Sequence, residues 1–129
     1  MRKGEQKAFW NIVPVVGKTP GRRYGHILSY SKPYLLTFGG NTGTEAVNDF
    51  WCLDVEKSPF AWNKLSTTTE QPSVRVYHSA AFCDRGTANG MIVIFGGRTK
   101  DSSALNDTWG LRRHRTGNWD WVRAPYTYR

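Results

Sequence analysis

Short apolar runs alternate with polar, glycine-rich intervals along the chain, and one order of runs occurs twice. The first copy reads YLLTFGG from Tyr34 to Gly40, then a polar loop, then Asn48-Asp49-Phe50-Trp51. The second reads MIVIFGG from Met91 to Gly97, another polar loop, then Asn106-Asp107-Thr108-Trp109. Upstream of each lies Pro-x-x-Arg-x-x-His, at Pro20 to His26 and at Pro72 to His78. Downstream each copy closes on tryptophan with a short apolar tail, Trp62 to Leu65 and Trp119 to Val122. The spacing between copies grows along the unit, which places the insertions in loops and leaves the order of the runs intact.

Runs of this length, rich in aromatic and branched residues and bounded by Gly, Asn or Asp, predict four strands per unit. The first spans 24–31 and 77–83, the second 34–38 and 91–95, and the third 50–55 and 108–112. The fourth begins at Ala61 and near Trp119. The second strands are apolar at nearly every position instead of alternating, so they are expected to be covered on both faces, as in stacked sheets. A glycine pair after such a strand lets the chain take positive φ where another backbone packs close. Asn-Asp beyond the loop supplies short side chains that bond local backbone and restart a strand. Trp10 precedes Pro20 by the same distance as Trp62 precedes Pro72, so Trp10-Asn11-Ile12-Val13 reads as a fourth strand without its own first three.

Composition agrees with an all-β chain. The 129 residues include 13 Gly and 6 Pro, and 39% are hydrophobic, enough for a core. No apolar stretch approaches a membrane span, and the basic start lacks the apolar region of a secretory signal. The expectation is a soluble intracellular protein, cytoplasmic and/or nuclear, with no membrane partner. Cys52 and Cys83 have neither a disulfide framework nor metal-ligand spacing, and read as buried reduced thiols. A net charge of +8 suits an acidic partner. Only Arg112-Arg113-His114-Arg115 forms a basic run, without interleaved aromatics, so a solvated hairpin tip accounts for it better than nucleic-acid binding. Gly17-Lys18-Thr19 is no phosphate loop, because Ile12 stands where its first glycine is required and Pro20 where its helix should begin.

Taken together, Pro-x-x-Arg-x-x-His, the run into Gly-Gly, Asn-Asp-x-Trp and the closing Trp resemble the kelch repeat, a unit of about 50 residues that builds one β-propeller blade. The resemblance implies a partial kelch β-propeller: two four-stranded antiparallel blades plus one strand of a preceding blade. Residues 1–19 are then a tail and that outer strand, 20–66 the first blade, 67–125 the second, and 126–129 a tail. Propellers close with about four to eight blades, so the chain is expected to be part of a longer one. Two isolated blades leave apolar faces and strand edges in water, so self-association is expected. Gly110 to Pro125, with Gly-Leu-x-x-His-Arg-x-Gly-x-Trp-x-Trp, is further similar to the kelch-domain Ser/Thr protein phosphatases of plants and protozoa. In that group the propeller is expected to dock substrates or regulators. Two metal ions serve the catalytic domain. This chain carries none of that domain's Gly-Asp-x-His, Gly-Asp-x-x-Asp-Arg-Gly or Gly-Asn-His-Glu motifs, so it is expected to be non-catalytic, with no cofactor or metal of its own.

In a kelch blade the first strand lines the channel, and its start shares one end with the loop between the second and third strands. The resemblance therefore implies a partner-binding face of Arg22, Arg23, Tyr24, Asn41, Glu45, Arg75, Tyr77, Arg98, Lys100 and Asp101. An arginine there can hold a carboxylate or phosphate, so the partner is a protein, in one version acidic or phosphorylated. The other reading of Arg23 and Arg75 is structural: they tie blades through carbonyls or the Asp49 and Asp107 carboxylates. His26 and His78, at equivalent positions, read as structural imidazoles, and His114 as solvent-facing. Two further functions remain open beside the phosphatase reading: the scaffold of another intracellular adaptor, and part of a kelch-type enzyme acting through its own channel.

Overall fold

Branched and aromatic residues between glycine and asparagine breaks form short extended ladders, because their side chains fill a pleated surface well and the breaks release the backbone. The computed structural model describes residues 6–125; the tail expected at 126–129 and the first five residues lie outside them. Nine strands appear in chain order: β1 Val15–Val16, β2 Ile27–Ser31, β3 Tyr34–Phe38, β4 Phe50–Asp54, β5 Phe60–Leu65, β6 Ser79–Cys83, β7 Met91–Phe95, β8 Thr108–Arg113 and β9 Trp119–Arg123. A single 3-10 turn, Gly86–Ala88, interrupts them. They form two sheets, ordered β1-β5-β4-β3-β2 and β6-β7-β8-β9. Every pair is antiparallel except β1 with β5. The all-β reading and the two four-stranded units hold.

Cross-strand partners share a face, so the register sorts the side chains. In the first sheet Ile27, Phe38 and Phe50 stand in one row and Leu36 pairs with Cys52. In the second sheet Ile92, Leu111 and Trp121 share a row, and Ile94 pairs with Trp109. These two faces close on each other and make one core. Phe38 meets Trp121 at a centroid distance of 5.0 Å and Phe50 meets it edge-on at 5.5 Å. The register also revises the match between the closing tryptophans. Trp62 pairs with Leu53, which faces Leu35, whereas Trp121 reaches Ile92 through Leu111. Since Leu35 and Ile92 open the equivalent runs, Trp62 corresponds to Trp121 and not to Trp119.

Three expectations need correction. The second strands are not covered on both faces alike. Thr37 of β3 is buried, but β7 alternates, and Phe95 at its end is 52% exposed. Among the described residues no sheet lies against the far face of the second unit. The first strands start later than expected, at Ile27 and Ser79. Tyr24 and Val76 instead make single bridges to Asn41 and Arg98, and the next residues, Gly25 and Tyr77, turn at φ 71° and 61°. The upstream strand expected at Trp10 to Val13 is absent; Trp10 is fully exposed, because a strand needs a ladder partner and none of the described residues offers one there. The pairing falls on Val15 and Val16, which run parallel to Phe60 and Ala61. This segment is the lead-in to the first unit. Its counterpart, around Thr69, reaches β9 through a side chain instead: the Thr69 hydroxyl donates to the Trp121 carbonyl and accepts from its N–H.

Of the two thiols, Cys52 is buried and its pKa is pushed up to about 11 by desolvation, which makes it unreactive. Cys83 departs from the expectation: it is only half-buried, because it pairs with Met91 on the uncovered face. No helix among the described residues is long and apolar enough to cross a membrane.

Candidate functional site

The lead-ins to β2 and β6 carry most of the expected site, and two arginines set their paths. Arg75 is fully buried. Its guanidinium donates to both Asp107 oxygens, at 2.7 and 2.8 Å, and to the Gly96 carbonyl at 3.0 Å. Arg23 repeats the arrangement with Asp49, at 2.7 and 3.2 Å, and with the Gly39 carbonyl. Each aspartate also accepts an indole N–H, from Trp109 or Trp51. Arg75's hydrogen bonds hold Asp107 down at about 2, against the opposing effect of burial. For Asp49 desolvation is the largest single influence and pushes upward, but the bonds from Arg23 and Trp51 together outweigh it and leave the carboxyl lowered. Arg23 and Arg75 therefore do not belong to an accessible face. Each joins its own strand lead-in to its own glycine pair and Asn-Asp segment, since a buried guanidinium needs a carboxylate and carbonyls to offset its lost hydration.

The two histidines differ in environment. His78 is buried, with Nε2 2.8 Å from the Phe38 carbonyl oxygen of the other sheet, and desolvation lowers its pKa. His26 occupies the same repeat position but is exposed on the far face of the first sheet. Around His78 the sheets are stitched by backbone: Gly40 N–H donates to the Arg75 carbonyl at 3.0 Å and Tyr77 N–H to the Gly25 carbonyl at 2.8 Å. Asn48 Nδ2 donates to the Pro72 carbonyl and Gln71 Nε2 to the Asn48 carbonyl.

That stitching brings six of the expected residues to one place. Tyr24, Asn41, Glu45, Tyr77, Arg98 and Lys100 line a groove of about 210 Å³ across the junction of the two units. Tyr24 and Tyr77 are about half exposed, with ring centroids 6.4 Å apart. The Arg98 guanidinium lies 5.2 Å over the Tyr77 ring. Tyr77 holds φ at +61° where the first unit has Gly25, a conformation costing a bulky residue ~1–2 kcal/mol. Asp101 stands exposed beside the groove, its carboxyl lowered by hydrogen bonds from Thr99 and Ser103. Arg22 is exposed and does not line the groove. Sequence reasoning missed the backbone walls, Ala46, Val76 and Ser102. The bridges Asn41 to Ala46 and Arg98 to Ala104 close the loops that carry them, and small residues after Gly-Gly were their only trace.

The basic run sits at the turn of the β8–β9 hairpin, and Arg112, Arg113 and Arg115 are exposed there as expected, whereas His114 is tied down. His114 is half-buried, its Nε2 2.8 Å from Asp120, and Arg113 lies over the Tyr34 ring of the other unit. Gly17-Lys18-Thr19 falls in the lead-in after β1, with no helix following. Among the described residues no three His, Cys, Asp or Glu side chains converge as a metal site.

Comparison with known proteins places this geometry. Residues 6–128 match the model of the KLHDC2/KLHL20/DRC7 Kelch-repeats domain. The chain is 36% identical over 122 residues to Serine/threonine-protein phosphatase BSL2 of Arabidopsis thaliana, covering 94% of this chain and 12% of that one. It is 34% identical over 104 residues to Tip elongation aberrant protein 1 of Schizosaccharomyces pombe, and 29% over 103 residues to Dynein regulatory complex subunit 7 of Chlamydomonas reinhardtii. Those two alignments each cover 78% of this chain and 8% of the relative, so the chain spans a small part of each. The solved structure of YjhT superposes with a TM-score of 0.59 at 20% identity, over 85% of this chain and 30% of that one, which shows a shared fold. Kelch-repeat domains serve as scaffolds for protein interaction, and with both repeats and nearly the whole length matched, this chain belongs to the kelch-repeat family.

Proposed function

We propose that this chain is a protein-interaction segment of a kelch propeller that docks substrates or regulators to a Ser/Thr protein phosphatase. It takes no catalytic part and holds no cofactor; the two metal ions would belong to a separate catalytic domain. The observation that carries the docking is Tyr77, a large aromatic kept exposed in a left-handed backbone beside Tyr24 and under Arg98. A fold retains such strain where the side chain is used. The likeness to BSL2 supports the phosphatase context. Arg98 and Lys100 above an aromatic floor suit an acidic or phosphorylated segment, and the net charge of +8 favours its approach. The setting is intracellular, cytoplasmic or nuclear.

The test uses defined peptides, neutral, acidic and phosphorylated, titrated by fluorescence anisotropy. The unaltered chain should hold the acidic or phosphorylated set. The Arg98→Ala/Lys100→Ala variant should weaken that binding at least tenfold. Tyr77→Asn should do likewise while keeping the fold, since Asn tolerates positive φ. Equal affinity across all three proteins would remove the groove from the function. A second reading is an adaptor scaffold with no phosphatase attached, since the chain is also similar to a protein not named as a phosphatase, Tip elongation aberrant protein 1. The metallophosphatase motifs, sought in the gene beyond this stretch, separate the two.

A further inference from the structure

The two strand lead-ins differ in what holds them. In the first unit Val15 and Val16 form a parallel ladder with Phe60 and Ala61. Counted from the shared prolines, Pro20 and Pro72, the counterparts of Val15 and Val16 are Thr67 and Thr68. Counted from Trp62 and Trp121, the counterparts of Phe60 and Ala61 are Trp119 and Asp120. These four residues form no ladder, and the second sheet ends at β9. A groove of about 340 Å³ lies between them instead, and it extends to Ser66 on the linker wall and to His114 and Asn118 on the wall of the β8–β9 turn.

The two walls are unlike in charge. The linker wall offers neighbouring hydroxyls. Thr67 is tied to Thr69 through bonds of 2.7 and 3.1 Å, whereas Ser66 is exposed. The turn wall is basic, with Arg112 and Arg115 exposed. Its one carboxylate, Asp120, is already met by His114 Nε2 at 2.8 Å and by Arg112 Nε at 3.8 Å. The cations of the turn thus face a neutral wall. Extending the first unit's register by one residue sets Ser66 opposite Asn118, nearer the basic turn than Asp120 is.

We propose that Ser66 is a phosphorylation site, and that its phosphate closes this groove by bonding His114, Arg115 and the Asn118 amide. A Ser/Thr kinase supplies the step: Ser66 Oγ attacks the γ-phosphorus of ATP, the new P–O bond forms as the bond to ADP breaks, and the hydroxyl proton is released. Phosphoserine carries about −1.5 to −2 charges near neutral pH and accepts charge-assisted hydrogen bonds from guanidinium and protonated imidazole. The clamp gives the second lead-in the anchor that the first has through its ladder. It stands apart from the Tyr77 groove, since the loop carrying Arg98 precedes β8 and this turn follows it.

The test has two parts. The chain is incubated with ATP and a eukaryotic cell extract, and fragmentation mass spectrometry should place phosphate on Ser66; a chain left unmodified at Ser66 overturns the proposal. A chain carrying phosphoserine at 66 by genetic encoding is then compared with the unmodified one. Amide hydrogen exchange across 66–70 should slow roughly tenfold at low salt, and less at high salt. The His114→Ala/Arg115→Ala variant should exchange like the unaltered chain when unmodified and lose that protection when phosphorylated. Should the double variant fail to fold by circular dichroism, Arg115→Ala alone replaces it. Exchange unchanged by the phosphate, or protection that survives loss of the turn's cations, overturns the clamp.

Discussion

Gly39 and Gly17 share a backbone conformation, φ +74° and +78°, but not an environment. Nothing lies within 4 Å of a Cβ added at Gly17, whereas one at Gly39 would press on the His78 ring. Gly17→Ala should therefore cost only the left-handed backbone term, ~1–2 kcal/mol. Gly39→Ala should exceed it by at least ~1 kcal/mol and lower the melting temperature further, as read by differential scanning calorimetry; equal losses would mean the ring adapts freely. That a glycine pair follows each second strand is plain in the amino-acid order, and so is its reason, close approach. Which group approaches is not, because His78 lies far along the chain and arrives only when the sheets stack. Tyr77 differs: its left-handed backbone had one trace in the sequence, Gly25 at the same place in the other copy.

Among the local elements, the Arg75–Asp107 and Arg23–Asp49 pairs anchor each strand lead-in to its own unit. Asp107→Asn would leave the fully buried Arg75 without its carboxylate, at about 3 kcal/mol, near the low end for a broken buried pair because Asp107 keeps 15% of its side chain exposed. The pH dependence follows from the lowered carboxyl, held at about 2. Between ~3.9, its unfolded value, and about 2 the unfolded chain binds a proton that the folded chain refuses. Stability from this pair is thus complete above pH ~4 and declines as pH falls toward 2. Urea midpoints from pH 6 to 2 should show that decline in the unaltered chain and a shallower one in Asp107→Asn; parallel curves would deny the pair its role. The strands themselves were readable from run length and breaks. Their starts at Ile27 and Ser79 were not, because the residues before them are spent on single bridges to a distant loop.

Taken entire, the chain is two sheets held by one aromatic junction. Trp121 stands within it, touching Phe38 and Phe50 across the gap. Trp121→Ala should cost ~3–5 kcal/mol and uncouple the units, so that thermal unfolding followed by tryptophan fluorescence and by circular dichroism no longer coincides. Coincident transitions in that variant would mean the backbone stitches alone couple the sheets.

Repeat order, strand number and the kelch likeness are local properties, written in spacings and residue types that a single unit contains, so the amino-acid order alone was enough to establish them. The fate of equivalent residues was settled by folding. His78 and His26, and Phe38 and Phe95, are matched in sequence, yet one of each pair is enclosed and the other is open. Burial is conferred by whatever packs alongside, and two like units stacked in a row have only one face each in common.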